Sequence, residues 1–257
     1  NETYAPTLKS KSLRIILAIA ASRSMKTLSM DISSAFLYPP LTKPIAMKQP
    51  PGLEIKHKED WIYLLDYCLY GLRQSSYEFN NLLVTYLKEL GFNQLSVCAD
   101  ACVFRKSNGK SLTILLVYVD DFAIFCDRET DLKSIENALL KRFKMTSSPL
   151  SWFLGMEITS NLKEIAINQS LYISKLLSTF NLNNMIPAKT PIAKSYALSI
   201  DDSESFQDQS KFRSLLGSII YVATQTRFDI MFAVSRIASK ASNPTINDYN
   251  ALLRVCQ

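Results

Sequence analysis

The run Ser111-Leu112-Thr113-Ile114-Leu115-Leu116-Val117-Tyr118-Val119-Asp120-Asp121-Phe122-Ala123-Ile124-Phe125-Cys126 decides how the rest of the chain is read. Mostly apolar, β-branched or aromatic residues flank two adjacent aspartates. Runs of this kind form strands buried on at least one face. The sequence therefore predicts a hairpin with Asp120 and Asp121 at its tip. Two neighbouring carboxylates between hydrophobic strands repel one another and lose hydration. A solvated turn relieves that cost, since Asp favours turns. A divalent cation relieves it too, because hard ions such as Mg²⁺ take carboxylate oxygen. The second alternative calls for another carboxylate from elsewhere in the chain.

The totals set bounds. A chain of 257 residues can bury a sizeable core, in one large domain or several small ones. An apolar fraction of 47% with 20% charged residues is ordinary for a globular protein. The net charge of +6 suits a polyanionic partner without demanding one. No apolar run reaches membrane-spanning length; Leu13 to Ala21 is short and interrupted by Arg14, so no membrane partner is expected. Five cysteines without paired spacing argue against a disulfide framework. Cys98 and Cys102 have no second pair and no nearby His, so they read as buried thiols rather than zinc ligands. The only histidine, His57, sits among charged residues and reads as surface. Asn1-Glu2-Thr3 and Asn168-Gln169-Ser170 fit the glycosylation sequon, with nothing else pointing to secretion. The chain does not begin with Met and stops inside an apparent helix, which reads as an excerpt of a longer polypeptide.

Along the chain, Ser10 or Ser12 is expected to cap a helix carrying Leu13, Ile16, Leu17, Ala20 and Ala21. Met25 to Ile32 alternates as a strand and ends on Asp31. Residues 33–38 read as a short helix or turn stopped by Pro39-Pro40, and 39–60 as loop with a short strand at Ile45-Ala46-Met47. Trp61 to Leu69 is apolar and aromatic, followed by a turn at Tyr70-Gly71-Leu72-Arg73-Gln74. Ser75-x-x-Glu78 fits a capping box opening a helix through Phe79, Leu82, Leu83, Tyr86, Leu87 and Leu90, closed by Gly91. Cys102-Val103-Phe104 predicts a strand turning at Asn108-Gly109, and Asp131 the cap of a helix with Ile135, Leu139 and Phe143 inward. A second hairpin spans Trp152–Ile158 and Glu164–Ile167, and Leu171 to Phe180 is helical in spacing. Residues 181–210 read as linker, and three helices are expected at Phe212–Val222, Ile230–Ala238 and from Thr245. Asp31 thus ends a predicted strand, as the Asp120-Asp121 pair ends another. If those strands are neighbours, three carboxylates meet at the rim of one sheet; spacing alone does not establish it.

Several motifs, in order, resemble the reverse transcriptases of copia-type (Pseudoviridae-like) LTR retrotransposon Pol polyproteins. They are Met30-Asp31-Ile32-Ser33-Ser34-Ala35-Phe36-Leu37, Met47-Lys48-Gln49-Pro50-Pro51-Gly52, Leu69-Tyr70-Gly71-Leu72-Arg73-Gln74-Ser75, Tyr118-Val119-Asp120-Asp121 and Phe153-Leu154-Gly155-Met156-Glu157-Ile158. Phe212 to Ser218 and Thr226 to Ile230 resemble the family's downstream segment, so the likeness covers nearly the whole chain.

The resemblance implies an α+β right-hand polymerase: an antiparallel palm sheet backed by helices, partial fingers and a helical thumb. Its boundaries would be 1–30 for partial fingers and 31–150 for the palm, with a fingers insertion near 38–68. Residues 151–257 would hold the primer-grip hairpin, the thumb and the start of a connection toward RNase H. It implies RNA-directed DNA polymerase activity by two-metal transfer onto a primer 3′-hydroxyl. Asp31, Asp120 and Asp121 would be catalytic and bind two Mg²⁺ ions, with Mn²⁺ as an alternative. Phe36, Gly71, Arg73, Tyr118 and Val119 would bind nucleotide, and Phe153, Leu154 and Gly155 would grip the primer. Read without the family, Phe36 and the 153–155 segment are ordinary core, Gly71 a plain turn and Arg73 a surface charge. Implied partners are an RNA template, a DNA or tRNA primer, dNTPs and the polyprotein's RNase H, integrase and protease; a dimer is one arrangement of the working unit. The implied location is a cytoplasmic virus-like particle, with product delivered to the nucleus. The chain departs from the family at Pro39-Pro40, at Lys43-Pro44, at Ser76 and at Phe228, and a basic fingers segment is expected upstream of Asn1. The alternative reading is a decayed or co-opted nucleic-acid-binding module of the same fold; a purely structural domain is a third.

Overall fold

The protein is described by a computed structural model covering residues 3–161, 164–198 and 203–257. Asn1, part of one sequon, lies outside the described residues. The chain forms two compact units, one running through Leu154 with Thr159–Ile165, the other comprising Gly155–Ile158 and Ala166–Gln257.

In the first unit, helix α1 (Ser10–Ser22) leads into β1 (Lys26–Ile32) and a 3₁₀ turn at Ala35–Leu37. Strands β2 (Pro40–Lys48) and β3 (Ile62–Tyr67) form a separate antiparallel ribbon. Helix α2 (Ser75–Glu89) is followed by β4 (Asn93–Gln94), β5 (Val103–Asn108), β6 (Ser111–Tyr118) and β7 (Asp121–Cys126). Helix α3 (Glu129–Arg142) and β8 (Met145–Ser148) follow. Six of these strands make one antiparallel sheet in the order β4-β5-β6-β7-β1-β8.

The sheet's register explains its hydrophobic run. Val117 opposes Phe122, and Phe122 opposes Met30, so one face carries a continuous apolar row across three strands. That face packs with Phe79, Leu83 and Leu87 of α2 and Leu132, Ile135 and Leu139 of α3. The residues between them, Ile114, Leu116, Ala123 and Phe125, point the other way and are buried as well. Burial on both faces removes the usual apolar–polar alternation, and the sequence reads instead as nearly unbroken hydrophobic residues.

Strands β9 (Trp152–Phe153), β10 (Met156–Ser160) and β11 (Ile165–Asn168) form a small sheet in the order β11-β10-β9, and the chain changes unit within this segment. The second unit is largely helical, with α4 (Ser170–Thr179), α5 (Lys194–Leu198), α6 (Gln209–Gln225), a 3₁₀ turn at Phe228–Ile230, α7 (Met231–Ala238) and α8 (Ile246–Val255). Its core gathers Leu176, Phe212, Leu215, Leu216, Ile219, Val222, Val234, Ile237 and Leu252. Asp208 caps α6 by accepting from the Lys211 N–H, and Thr245 with Asp248 forms a reciprocal capping box on α8.

Several local expectations change. Lys9, Gln74 and Arg128 stand at the N-caps of α1, α2 and α3, and none of these caps carries a side-chain hydrogen bond. The residues expected there have other partners: Ser75 Oγ donates to the Leu69 carbonyl, and Asp131 accepts from Ser111 Oγ. The loop between β5 and β6 is Gly109-Lys110, one residue later than expected, because Asn108 still pairs with Ser111. The short strand at 45–47 extends over nine residues, with a register shift between Pro40 and Ile45. Cys102 is buried but Cys98 is exposed. The expected linker contains α5. Strand β8, polar and four residues long, has no hydrophobic pattern to announce it.

Core and surface positions of α3 should separate sharply in stability. Leu139 is fully buried and its neighbour Leu140 is 41% exposed. Leu139→Ala should lower the unfolding free energy by about 2–5 kcal/mol, and Leu140→Ala by no more than about 0.5 kcal/mol, as measured by urea denaturation.

Candidate active site

The antiparallel pairing of β1 with β7 places Asp31 directly opposite Asp121. The Ile32 N–H donates to the Asp120 carbonyl at 3.0 Å. That makes Ile32–Asp120 the hydrogen-bonded kind of pair, so Asp31–Asp121, one step along, is the non-bonded kind, in which facing side chains stand closest. Met30, Ile32 and Phe122 belong to the helix-facing core, so Asp31 and Asp121 project from the opposite face. Asp120 follows Tyr118 and Val119 in the two-residue turn that joins β6 to β7. Asp31 is exposed, whereas Asp120 and Asp121 are half-buried.

The electrostatics follow from this crowding. Asp31 is pushed above the ordinary carboxylate range, first by desolvation and then by the Asp120 charge. Asp121 is raised too, first by desolvation, then by Asp120 and Asp31. Among the described residues, no group of three or more His, Cys, Asp or Glu side chains is arranged as a ready-made metal cage. The donor set still suits Mg²⁺. That ion is held through one or two carboxylates, with waters and substrate phosphates completing its shell, and its charge would offset the repulsion among these three groups.

The turn is strained. Val119 has φ of +59°, a left-handed conformation that a β-branched residue rarely adopts. Such a residue costs on the order of 1–3 kcal/mol and persists only where its surroundings impose it. Here Tyr118 pairs with Asp121, and the Ile32–Asp120 hydrogen bond ties the turn to β1. Val119 also lines a cavity of about 190 Å³ with Phe36, Phe79 and Leu83.

Phe36 lies in the 3₁₀ turn after β1, half-buried, its ring 4.9 Å from that of Tyr70 and 6.2 Å from that of Phe79. Tyr70, 51% exposed, is a site neighbour that sequence reasoning passed over; its place beside Gly71 in the turn motif was the available signal. Gly71 has φ of +97° with open space where a Cβ would stand, so backbone conformation is what requires glycine there. Arg73 and Tyr118 are exposed. Thr146 of β8, also unanticipated, opposes Asp31 on its other side. Phe153 is buried and serves as an anchor, while Leu154 (φ +50°) and Gly155 (φ +73°) form the turn beyond it. Asp31, Asp120, Asp121, Tyr118, Val119, Phe36, Gly71 and Arg73 belong to the first unit, and Gly155 to the second.

Two crowded carboxylates thus stand on paired antiparallel strands, with a third in the strained turn beside them. The chain belongs to the reverse transcriptase (RNA-dependent DNA polymerase) family, whose model matches residues 1–194. Within it, the chain is a copia-type domain. It is 34% identical over 255 residues to the retrovirus-related Pol polyprotein from transposon RE2 of Arabidopsis thaliana, and equally to that from transposon RE1. Each match covers 99% of this chain and 17% of the polyprotein. The Pol polyprotein from transposon TNT 1-94 of Nicotiana tabacum is 29% identical over 98% of this chain and 20% of its own length. The chain thus spans about a fifth or less of the length of these three relatives. No helix among the described residues is long and apolar enough to cross a membrane.

Carboxylates raised in the folded chain bind protons more tightly there than in the unfolded chain. Their contribution to stability is therefore most favourable in acid and declines as pH rises from the ordinary Asp value of 3.8 through the raised folded values. In metal-free buffer, Asp121→Asn should raise the denaturation midpoint at neutral pH and flatten that decline. A pH profile identical to the parent's would mean that the carboxylates do not repel in the folded chain.

Proposed function

We propose that this chain is the polymerase core of a retrotransposon reverse transcriptase, extending a DNA or tRNA primer along an RNA template with dNTPs. The observation that carries the reading is the pairing of Asp31 against Asp121, with Asp120 in the adjoining turn. On this reading the three aspartates are catalytic and hold two divalent ions. Mg²⁺ or Mn²⁺ bound there would promote ionisation of the primer 3′-hydroxyl and neutralise the triphosphate.

The chain's own groups then position the reactants. Phe36, braced by Tyr70 and Phe79, limits space beside the incoming sugar. The Gly71 turn and the Arg73 guanidinium face the nucleotide, the latter as a charge for phosphate. Tyr118 and Val119 present the metal-binding turn, and the rigid pairing around Val119 keeps the carboxylates from relaxing apart. Phe153, Leu154 and Gly155 hold the primer end. Residues 31–150, which hold most of the six-stranded sheet with α2 and α3, are assigned as palm; residues 1–30 are assigned as partial fingers, although their last five residues already run in that sheet as part of β1, and the β2–β3 ribbon as the fingers insertion near 38–68. Residues 151–257 are assigned as primer-grip hairpin, thumb and the start of the connection toward RNase H. The division of the chain after Leu154 and the helical second unit support this assignment. RNase H, integrase and protease would act as parts of the same polyprotein in a virus-like particle, with a dimer as one working state.

Primer extension on an RNA template with Mg²⁺ tests the activity. Asp120→Asn should cut synthesis by about a thousandfold, the several kcal/mol that metal charge stabilisation supplies, with an unchanged circular-dichroism spectrum. Undiminished synthesis would remove Asp120 from the chemistry, and template–primer binding without any extension by the parent chain would favour the binding-module reading. Mg²⁺ should also raise the melting temperature of the parent chain, the rise growing with the logarithm of its concentration above the dissociation constant. The Asp31→Asn/Asp120→Asn double variant should show no such rise in a thermal titration.

A further inference from the structure

Gly155 of the 153–155 turn is filled from outside. Its φ is +73°, and a Cβ built on it would overlap the hydroxyl oxygen of Tyr221, with Tyr221 Cζ next at 3.5 Å. Tyr221 lies on α6 and packs edge-on against Tyr172 of α4, ring centroids 4.9 Å apart. The same two helices are joined again where Thr226 Oγ1 donates to Gln169 Oε1 at 2.7 Å. Gln169 is buried, and among the described residues its Nε2 meets no hydrogen-bond partner, whereas its Oε1 accepts from Thr226. Gly155, Tyr172, Gln169 and Tyr221 all belong to the second unit. Met156 and Ile158, which follow Gly155 on β10, are buried at 1% and 3% exposure and anchor the strand that carries it.

We propose that Tyr221 is a positioning residue: its hydroxyl end, steadied by Tyr172, seats the backbone of Gly155 and thereby sets where the turn presents the primer 3′ end. The proposal rests on the primer-grip reading given above. A glycine at this place serves two needs at once, a left-handed backbone and clearance for a tyrosine hydroxyl. Only the second need depends on Tyr221, and this makes the two separable by mutation.

The test is a double-mutant cycle in the full chain, using Gly155→Ala, Tyr221→Phe and the pair. The readout is the fluorescence and affinity of a template–primer carrying 2-aminopurine at the primer 3′ end, with KM for dNTP measured alongside. Gly155→Ala should weaken primer-end binding about tenfold while KM for dNTP stays within about twofold, and Tyr221→Phe alone should weaken it about threefold, because the hydroxyl that seats Gly155 is gone. The pair should return to the level of Tyr221→Phe, because an alanine Cβ stands at ordinary contact distance from the remaining ring; any further deficit is the left-handed strain of alanine. Parent-like primer-end binding in Tyr221→Phe would overturn the proposal. Tyr172→Phe in the Gly155→Ala background should give no recovery. Melting curves of all variants separate a local effect from general unfolding. Equal losses in Gly155→Ala with and without the Tyr221 hydroxyl would overturn the proposal, as would a parallel rise in KM for dNTP. If that additivity appears while Asp120→Asn still abolishes extension, this inference alone fails. If the parent chain does not bind the primer end at all, the primer-grip reading fails with it.

Discussion

Asp31 and Asp121 occupy opposed positions on neighbouring antiparallel strands, and the fold must hold them there against their mutual repulsion. Nothing local favours the arrangement, since like charges facing each other across a strand pair are destabilising. The stabilisation comes from the other face of the same strands. Met30, Ile32, Phe122 and Ile124 pack into one core with α2 and α3, and a shift of one residue in β1 would turn Met30 and Ile32 away from that core and put Ser29 and Asp31 in their place. The hydrophobic pattern thus enforces the placement of the carboxylates, and the repulsion is tolerated as a small fraction of the burial it opposes.

Strain is distributed in the same way. Val119 sits in a left-handed turn that its side chain disfavours, between two strands with every residue of Phe122–Cys126 buried. The turn is short because Tyr118 pairs with Asp121, and it cannot relax without breaking that pair or the Ile32–Asp120 bond. Leu154 and Gly155 repeat the theme with two successive positive-φ residues between buried Phe153 and buried Met156. In both places rigid flanks impose an unfavourable backbone, the pattern expected where a protein aims backbone or side chains at a ligand. The proline departures lie where they cost little. Pro40 and Pro44 fall on the two-stranded β2–β3 ribbon, beside its register shift, where a missing N–H is easily accommodated.

Kinship with Pol polyproteins at 34% identity across the whole chain sits comfortably with this division of labour. Packing tolerates substitution when volume and pattern are kept, whereas the paired carboxylates and the positive-φ turns depend on particular residue types. The second unit has its own core and its own capped helices, so its stability does not have to be borrowed from the sheet.

Much of this was legible in the residues alone. The double-aspartate hairpin, the amphipathic α2 closed by Gly91 and the three late helices all follow from periodicity and turn chemistry, which are local. The family motifs supplied the functional expectation before any geometry. The helix caps were misplaced because Ser75 and Asp131 bond outside their helices, to the Leu69 carbonyl and the Ser111 hydroxyl, and these partners compete with capping. Strand β8 and the opposition of Thr146 to Asp31 were invisible, since a four-residue polar strand acquires its identity only from its neighbour. Sequence determined which residues prefer strand, helix or turn, because those preferences reside in each side chain and its near neighbours. Tertiary structure alone decided that Asp31 faces Asp121 and that Tyr221 fills the space over Gly155, because both depend on strand register and helix packing between residues far apart in the chain.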